Sequence, residues 1–540
     1  HQCHPGRDIT INTVLNYIFP CNYEQYRVQF IFASLPLIFL PLPTVFIFPL
    51  CLILYIYYRP VFKERKAWMD PSLTHHKRLS MTTPLHLYPD LATARRGACE
   101  PLPSSPNILP LSTLSSWEFR LCHTVEEALR SVTSGSRGSS SPKGWKSITI
   151  PYQWSLDPSV SDDHPIYTNK KYFFKRSPPF VPRRNPTGVY RATFDLPHHW
   201  KTTTTTSPEK DECVLTFHGV ETAFFCFLNG SYVGFSKDSR LSASFAADAP
   251  LLQSEGNVLE VVVVKFSDGS YLEDQDHWWF GGIFREVELS RRGYGMDLSD
   301  YAVQCDCDGV ISVSVALGLG GKDRGRLVRG ILYDDVSMDA HGTSISCGKE
   351  VWRGEGVLEG GQTNVSFDGR VEDPKLWSAE CPHLYTFVVT LCDEDGKVLQ
   401  VESKRVGFRS VSIDKSNGVL CVNGKKITVC GVNRHEHDPD TGKVISIDSI
   451  IRDMKLLKQN NFNTIRTSHY PNTLPFYHLA SFYGLYIVSE ANIETDGIKP
   501  MGKLACDTIG WRNAFVSRIT RMVLRDRNET CIIMWSLGNE

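Results

Sequence analysis

The segment KKITVCGVNRHEHDP (425–439) decides how the chain is read. Residues 427–432 form a short apolar run without helical period, and they lead straight into Asn433, Arg434, His435, Glu436, His437 and Asp438, the pattern of a buried strand feeding a polar loop. Over 446–460, Ile447, Ile450, Ile451, Met454 and Leu457 recur every three or four residues, which predicts a helix with one apolar face laid on a sheet. The unit then repeats. Residues 462–465 predict a strand ending in Arg466, Ser468, His469 and Tyr470, and 473–483 a helix. Residues 485–488 predict a strand ending in Glu490, Asn492, Glu494 and Asp496. Residues 511–525 predict a helix that opens on Trp511 as a core residue, and 531–535 a strand ending in Ser536, Leu537, Gly538, Asn539 and Glu540.

Polar clusters follow only the C-terminal ends of these strands, as in a (β/α)8 TIM barrel, whose site is built at that face. An open doubly wound sheet also places ligands there, but it is marked by a glycine-rich phosphate turn that this chain lacks. A barrel needs eight strands and four are legible, so 413–540 is expected to be the N-terminal half of one.

The strings GVNRHEHDP (431–439), NFNTIRTSHYPN (461–472), GLYIVSEANIETDG (484–497) and WSLGNE (535–540) resemble the lactose-cleaving β-galactosidases of glycoside hydrolase family 2. Upstream, HPIYTN (164–169) and SDGSYLEDQDHWWFGGIFREVEL (267–289) resemble the same family. The resemblance implies retaining hydrolysis of terminal β-D-galactosides such as lactose, which requires two carboxylates about 5 to 5.5 Å apart. It assigns Glu540 as acid/base, Asn539 to the sugar 2-hydroxyl, His435 and His469 to galactose hydroxyls, and Arg466 to holding neighbouring carboxylates. The nucleophile of the family lies on a later strand, so this polypeptide alone is expected to be inactive. Asn169 and Asp276 are implied to reach the sugar from the first domain, Asp276 also meeting Na+. Mg2+ is implied on Glu494, Asp496 and Glu540, with Asp496 standing where the family has histidine; aspartate is an acceptable hard ligand.

Without the resemblance, a loop histidine is more often structural than functional, Asp276 reads as a turn cap, and Trp278 and Trp279 as sandwich core. RHEH lacks the HExxH spacing of a zinc peptidase. Two alternatives stay open: a family 2 β-glucuronidase or β-mannosidase, and a non-catalytic carbohydrate-binding pseudoenzyme.

Upstream of the barrel the text turns to short strands with frequent turn residues. Residues 79–295 are expected to form a jelly-roll β-sandwich opening at LSSWEFRL (114–121), with 134–141 and 202–208 as surface loops. Asn229-Gly230, between two alternating runs, predicts a tight hairpin. Residues 296–412 read as an immunoglobulin-like sandwich without clustered chemistry. Residues 1–78 fit no part of this pattern. Their stretch 30–58 is long and uncharged enough to span a bilayer, yet it carries Pro36, Pro41, Pro43 and Pro49. A non-coding extension, a signal anchor and a buried core segment are all open readings of it.

The net charge of −1, with 22% charged residues, gives no footprint for a nucleic-acid partner. The 16 cysteines lack CxxC spacing and read as reduced thiols, which together with the family resemblance points to the cytoplasm. Relatives of this kind form homo-oligomers.

Overall fold

A computed structural model describes residues 66–540, apart from 102, 115–116, 134–143, 161, 170–171, 173, 202–211, 248–250, 293–297, 319–325, 337–345, 359–361 and 498–508. The expectations for 30–58 and for the loops 134–141 and 202–208 fall wholly or largely outside the described residues. No described helix is long and apolar enough to cross a membrane.

The first domain packs a seven-stranded antiparallel sheet against a four-stranded one, with Trp117, Phe119, Tyr190, Phe217 and Phe245 buried between them. Its central strands Ala223–Leu228 and Asn257–Val264 are apolar almost throughout because both faces of the large sheet are covered. The hairpin read at Asn229-Gly230 is present, both residues having positive φ (51° and 77°) between Ala223–Leu228 and Ser231–Lys237. The domain starts earlier than position 79. His75–His76 pairs with the edge of the large sheet, and Ala67 and Trp68 are buried against Phe225 and its neighbours. Short and interrupted by Pro71, this segment shows no periodicity, so only its docking reveals that it belongs to the sandwich.

A second sandwich follows, of three strands on four, closed over Val313, Val328, Trp352, Phe387 and Leu391. A small hairpin sheet, Val411–Asp414, Val419–Val422 and Lys425–Lys426, then leads into the barrel segment.

That segment is β1 (Gly431–Arg434), α1 (Ile447–Gln459), β2 (Thr464–Thr467), α2 (Leu474–Tyr483), β3 (Tyr486–Glu490), α3 (Arg512–Asp526) and β4 (Ile532–Ser536). The four strands are parallel in the order β1-β2-β3-β4. Ser446 caps α1 by accepting the Ser449 N–H (3.1 Å), and Gly484 ends α2 at φ 72°. Ile450, Met454, Ile465, Phe476, Tyr477 and Ile487 fill the space between strands and helices. Every observed strand begins and ends later than its apolar run. The reason is that Asn433, Arg466, Glu490 and Ser536, at or near the strand ends, turn toward one another at the barrel mouth, where polar groups are required, so an apolar run stops before the strand does.

Candidate active site

At the mouth of the four strands the fully buried Glu490, at the end of β3, collects its neighbours. Arg466 on β2 donates to both its oxygens (Nε to Oε2 2.6 Å, Nη2 to Oε1 2.9 Å). The Nδ1 of His469 lies 2.7 Å from Oε1, and the Ser536 hydroxyl on β4 donates to Oε2 (2.7 Å). Burial works against this charge, but the bonds from His469, Arg466 and Ser536 outweigh it and hold the carboxyl below its ordinary range. Arg466 also reaches the Asn539 side-chain oxygen (3.1 Å), so β2, β3 and the residues after β4 are tied at one point. The predicted role of Arg466 thus has a definite object, Glu490.

His435, after β1, stands edge-on to His469 with ring centroids 5.5 Å apart, its Nδ1 3.4 Å from the Tyr470 hydroxyl. Desolvation, then the fields of His469, Arg240 and His437, push its pKa down to about 4, against the pull of Asp276. It is a neutral imidazole at pH 7. The neighbouring Glu436 has a different fate. It is wholly buried, ion-paired with Arg285 (2.6 Å) and Arg240 (3.7 Å) of the first sandwich, and accepts the Thr473 N–H (2.9 Å). It is a joint between domains and does not face a ligand.

The first sandwich reaches this mouth through a loop and a ribbon. Glu494 N–H donates to the Leu272 carbonyl (2.8 Å) and Asp274 N–H to the Glu494 carbonyl (3.3 Å), so the loop 272–274 runs along the barrel loop 493–495 as a strand would. Beneath it Asp238 and Glu273 pair with Arg521 (3.0 Å) and Arg518 (2.7 Å) of α3. The ribbon pairs His277–Trp279 with Ile166–Thr168, His277 lying opposite Thr168. One step further along the two strands stand Asp276 and Asn169, both exposed. Alternation across the ribbon buries His277 and Trp279 and exposes Asp276 and Trp278. Trp279 is core, as the sequence suggests; Trp278 is 41% exposed and stacks obliquely on Tyr167 (5.6 Å).

Five carboxylates converge here: Asp274, Asp276, Glu494, Asp496 and Glu540. Burial first, then Asp276 and Glu540, push Glu494 up to about 7, opposed by His469 and by the Asn539 amide. Burial likewise pushes Asp274 up to about 7 against the Gly497 N–H (2.6 Å), with Glu494, Asp496 and Asp276 adding to it. The buried Glu494 Oε2 has no hydrogen-bond partner among the described residues. An all-oxygen donor set carrying excess negative charge and an orphaned carboxylate oxygen fits a hard cation. The fit is one of chemistry. Among the described residues only Asp306, Cys307 and Asp308, on an exposed turn, bring three ligand atoms within 4.8 Å of one another; Glu494, Asp496 and Glu540 do not.

The structure therefore gathers Arg466, His435, His469, Glu494, Asp496, Asn539 and Glu540 on the barrel and brings Asp276 and Asn169 to them from the ribbon. Sequence reading passed over two carboxylates, Glu490 as the hub and Asp274 as a buried, proton-holding neighbour. A glutamate closing a barrel strand was a legible signal for the first. Asp274 had none, because its burial comes from Tyr172 and a loop more than 200 residues away. A separate cavity of about 230 Å³, between both sandwiches and the barrel, is lined by His218, Glu288, Lys404 and His478 and contains none of the expected site residues.

Three descriptions of glycosyl hydrolases family 2 match the chain in order: the sugar-binding domain over 116–293, the central family 2 domain over 337–409 and the TIM barrel domain over 411–540. Curated β-galactosidases from Alteromonas mediterranea and Pseudoalteromonas haloplanktis are each 39% identical over 88% of the chain. The chain spans 43% and 44% of their lengths. Among solved structures, a Bifidobacterium dentium β-glucuronidase matches with TM-score 0.63 at 20% identity, over 81% of this chain and 69% of that one. A Bacteroides vulgatus β-glycosidase matches with TM-score 0.57 at 23% identity, over 80% of this chain and 50% of that one. These two likenesses speak for the shared fold.

Proposed function

The chain belongs to glycosyl hydrolases family 2, and from that premise we propose that its barrel mouth is the sugar-binding and proton-donating side of a retaining β-galactosidase site. The observation that carries this is geometric. The loop 272–274, which leads into the Asp276 ribbon, is hydrogen-bonded along the barrel loop that holds Glu494 (2.8 and 3.3 Å), so residues from two domains meet at one mouth.

On this reading Glu540 protonates the leaving oxygen and Asn539 meets the 2-hydroxyl. His435 is neutral and suited to exchanging hydrogen bonds with galactose hydroxyls, while His469, with Nδ1 committed to Glu490, offers Nε2. Asp276 and Asn169 close over the sugar from the ribbon. Glu494, Asp496 and Glu540 would hold Mg2+ and Asp276 Na+; such a cation would screen the crowded carboxylates. The nucleophile is assigned to a carboxylate outside these four βα units.

The same crowd of carboxylates favours a neutral galactoside over a glucuronide, whose own carboxylate would be repelled. Free cysteines throughout the described residues suit a reducing cytoplasm, and a homo-oligomer is the expected assembly. The 540-residue chain should bind D-galactose by calorimetric titration, bind glucuronate far more weakly, and leave a chromogenic β-galactoside uncleaved. Absence of galactose binding, or turnover above background by this chain, overturns the assignment.

A further inference from the structure

One buried cation at the sandwich–barrel boundary takes no part in the chemistry just described. Lys443 lies in the loop that follows β1, seven residues after Glu436, and its side chain is 3% exposed. Its ammonium donates to Glu221 Oε1 (2.6 Å), a carboxylate 4% exposed at the end face of the first sandwich. Its own N–H donates to the Gln153 side-chain oxygen (2.8 Å), and the Gln153 amide approaches the other Glu221 oxygen (3.3 Å). Glu221 and Gln153 flank Gly282–Ile283 in one three-stranded sheet, and that middle strand is the continuation of the ribbon that carries Asp276. The third contact is with the ribbon itself: Lys443 Nζ lies 3.3 Å from His277 Nδ1.

The geometry also sets the state of His277. Nε2 lies 3.2 Å from the Glu273 carbonyl and Nδ1 3.1 Å from the Trp278 carbonyl; the Lys443 ammonium can only donate, so its approach to Nδ1 selects the tautomer with the proton on Nε2. The loop is shaped to deliver this lysine. Asp438 and Gly442 exchange backbone hydrogen bonds (2.7 and 3.0 Å), and Gly442 has φ 64° with the place of a Cβ only 2.5 Å from Gln153 Oε1, so a side chain there is excluded twice over. On the far side Phe280 lies under the ammonium (5.7 Å) and stacks on His437 (6.2 Å).

We propose that Lys443 is a positioning residue for the sugar site: by joining Glu221, Gln153 and His277 it clamps the Asp276–Asn169 ribbon at a fixed distance from the His435 side of the barrel mouth. The proposal rests on the reading of that mouth as a galactose site. The charged and titratable groups facing the ammonium are Glu221, Glu273 and His277 from the sandwich domain, Arg240 from the same domain, and His437 from its own loop. Burial, with Arg240, brings Lys443 down to about 8 while Glu221 supports its charge, so the clamp is charged at neutral pH and discharged on the alkaline side.

The test uses the whole chain and two readouts. Hydrogen exchange of peptides covering 166–169 and 276–279 reports the clamp without any sugar, and titration with D-galactose reports its consequence. K443M should exchange faster in both peptides and bind galactose at least tenfold more weakly. The K443M/E221Q double variant leaves no buried charge unpaired, so its thermal unfolding should stay near that of the parent while its ribbon remains loosened. Between pH 7 and 9 the parent should lose galactose affinity and K443R, whose guanidinium stays protonated, should not. Unchanged ribbon exchange in both K443M and the double variant overturns the clamp. Faster exchange with undiminished galactose affinity overturns the positioning role. Faster exchange in variants of a parent that binds no galactose supports the clamp and overturns the sugar reading instead.

Discussion

At the joint between the first sandwich and the barrel, Asp238 and Glu273 meet Arg518 and Arg521, and Glu436 meets Arg285 and Arg240. At the mouth a few residues away, Asp274 and Glu494 have Asp276 and further carboxylates for neighbours. Both regions bury charge. At the joint each acid faces a guanidinium, and although burial opposes ionisation of Asp238 and Glu436, the arginines outweigh it and keep both carboxyls below their ordinary range. At the mouth like charges stand together and two carboxyls are pushed up to about 7. Charge that is paired holds the architecture, whereas like charges gathered at a strand-end mouth mark where a cation, a proton or a substrate is to be received.

The largest effect expected from this contrast is at the joint. Asp238→Ala leaves Arg521 without its carboxylate in the interior while Arg518 keeps Glu273, and removing one partner of a buried pair costs about 3–5 kcal/mol; denaturant titration should show the midpoint falling accordingly. A loss below 1 kcal/mol would erase the distinction between the two regions.

Next comes the hub that links them to function. Glu490→Gln keeps the shape but removes the charge that Arg466, His469 and Ser536 address, so galactose binding should weaken by about 1.5–3 kcal/mol, the worth of hydrogen bonds to a charged group. Calorimetric titration measures it, with thermal unfolding as the control for a collapsed fold.

At the mouth the sign of the pH effect is opposite to that of a salt bridge. Glu494 holds its proton up to about 7 when folded, above its ordinary value of 4.5, so the folded chain binds more protons than the unfolded one between these values. Its contribution to stability is full below about 4.5 and is lost as pH rises through about 7. The thermal midpoint should therefore fall from pH 5 to pH 8, less steeply in Glu494→Gln. Added Mg2+ should raise the midpoint at pH 8 in the parent and not in that variant. A parent midpoint that is flat with pH and indifferent to Mg2+ would remove the case for uncompensated charge.

The smallest effect calibrates the rest. Asp334 pairs with Lys375 (2.8 Å), whose side chain is 60% exposed, and with the partly exposed His383 (2.9 Å), and solvent screening leaves such surface pairs with little net effect. Asp334→Asn should shift the unfolding midpoint by less than a quarter of the Asp238→Ala effect.

The order of two sandwiches and a half barrel, the Asn229-Gly230 hairpin and the placing of polar residues at strand ends were all written in local pattern. Periods of two and 3.6 residues arise from backbone geometry that neighbouring residues share, and a single sequence displays them directly. Strand ends were misplaced by a few residues because the same local rule treats every polar side chain as an exit from the sheet, while Arg466 and Glu490 are strand residues turned into a mouth.

What no local pattern could decide is which of two similar glutamates does what. Glu436 and Glu494 both follow a barrel strand in a polar loop, yet one is neutralised by Arg285, 151 positions earlier in the chain, and the other keeps an oxygen that no described residue satisfies. Lys443 reads as an ordinary loop lysine until Glu221, 222 positions away, is laid against it. The sequence by itself determined the elements and the face on which chemistry gathers, because these follow from short-range backbone geometry. Only the packing of sandwich on barrel decided which charges are paired, since a Coulomb interaction depends on separation in space and solvent exclusion, and neither is a function of separation along the chain.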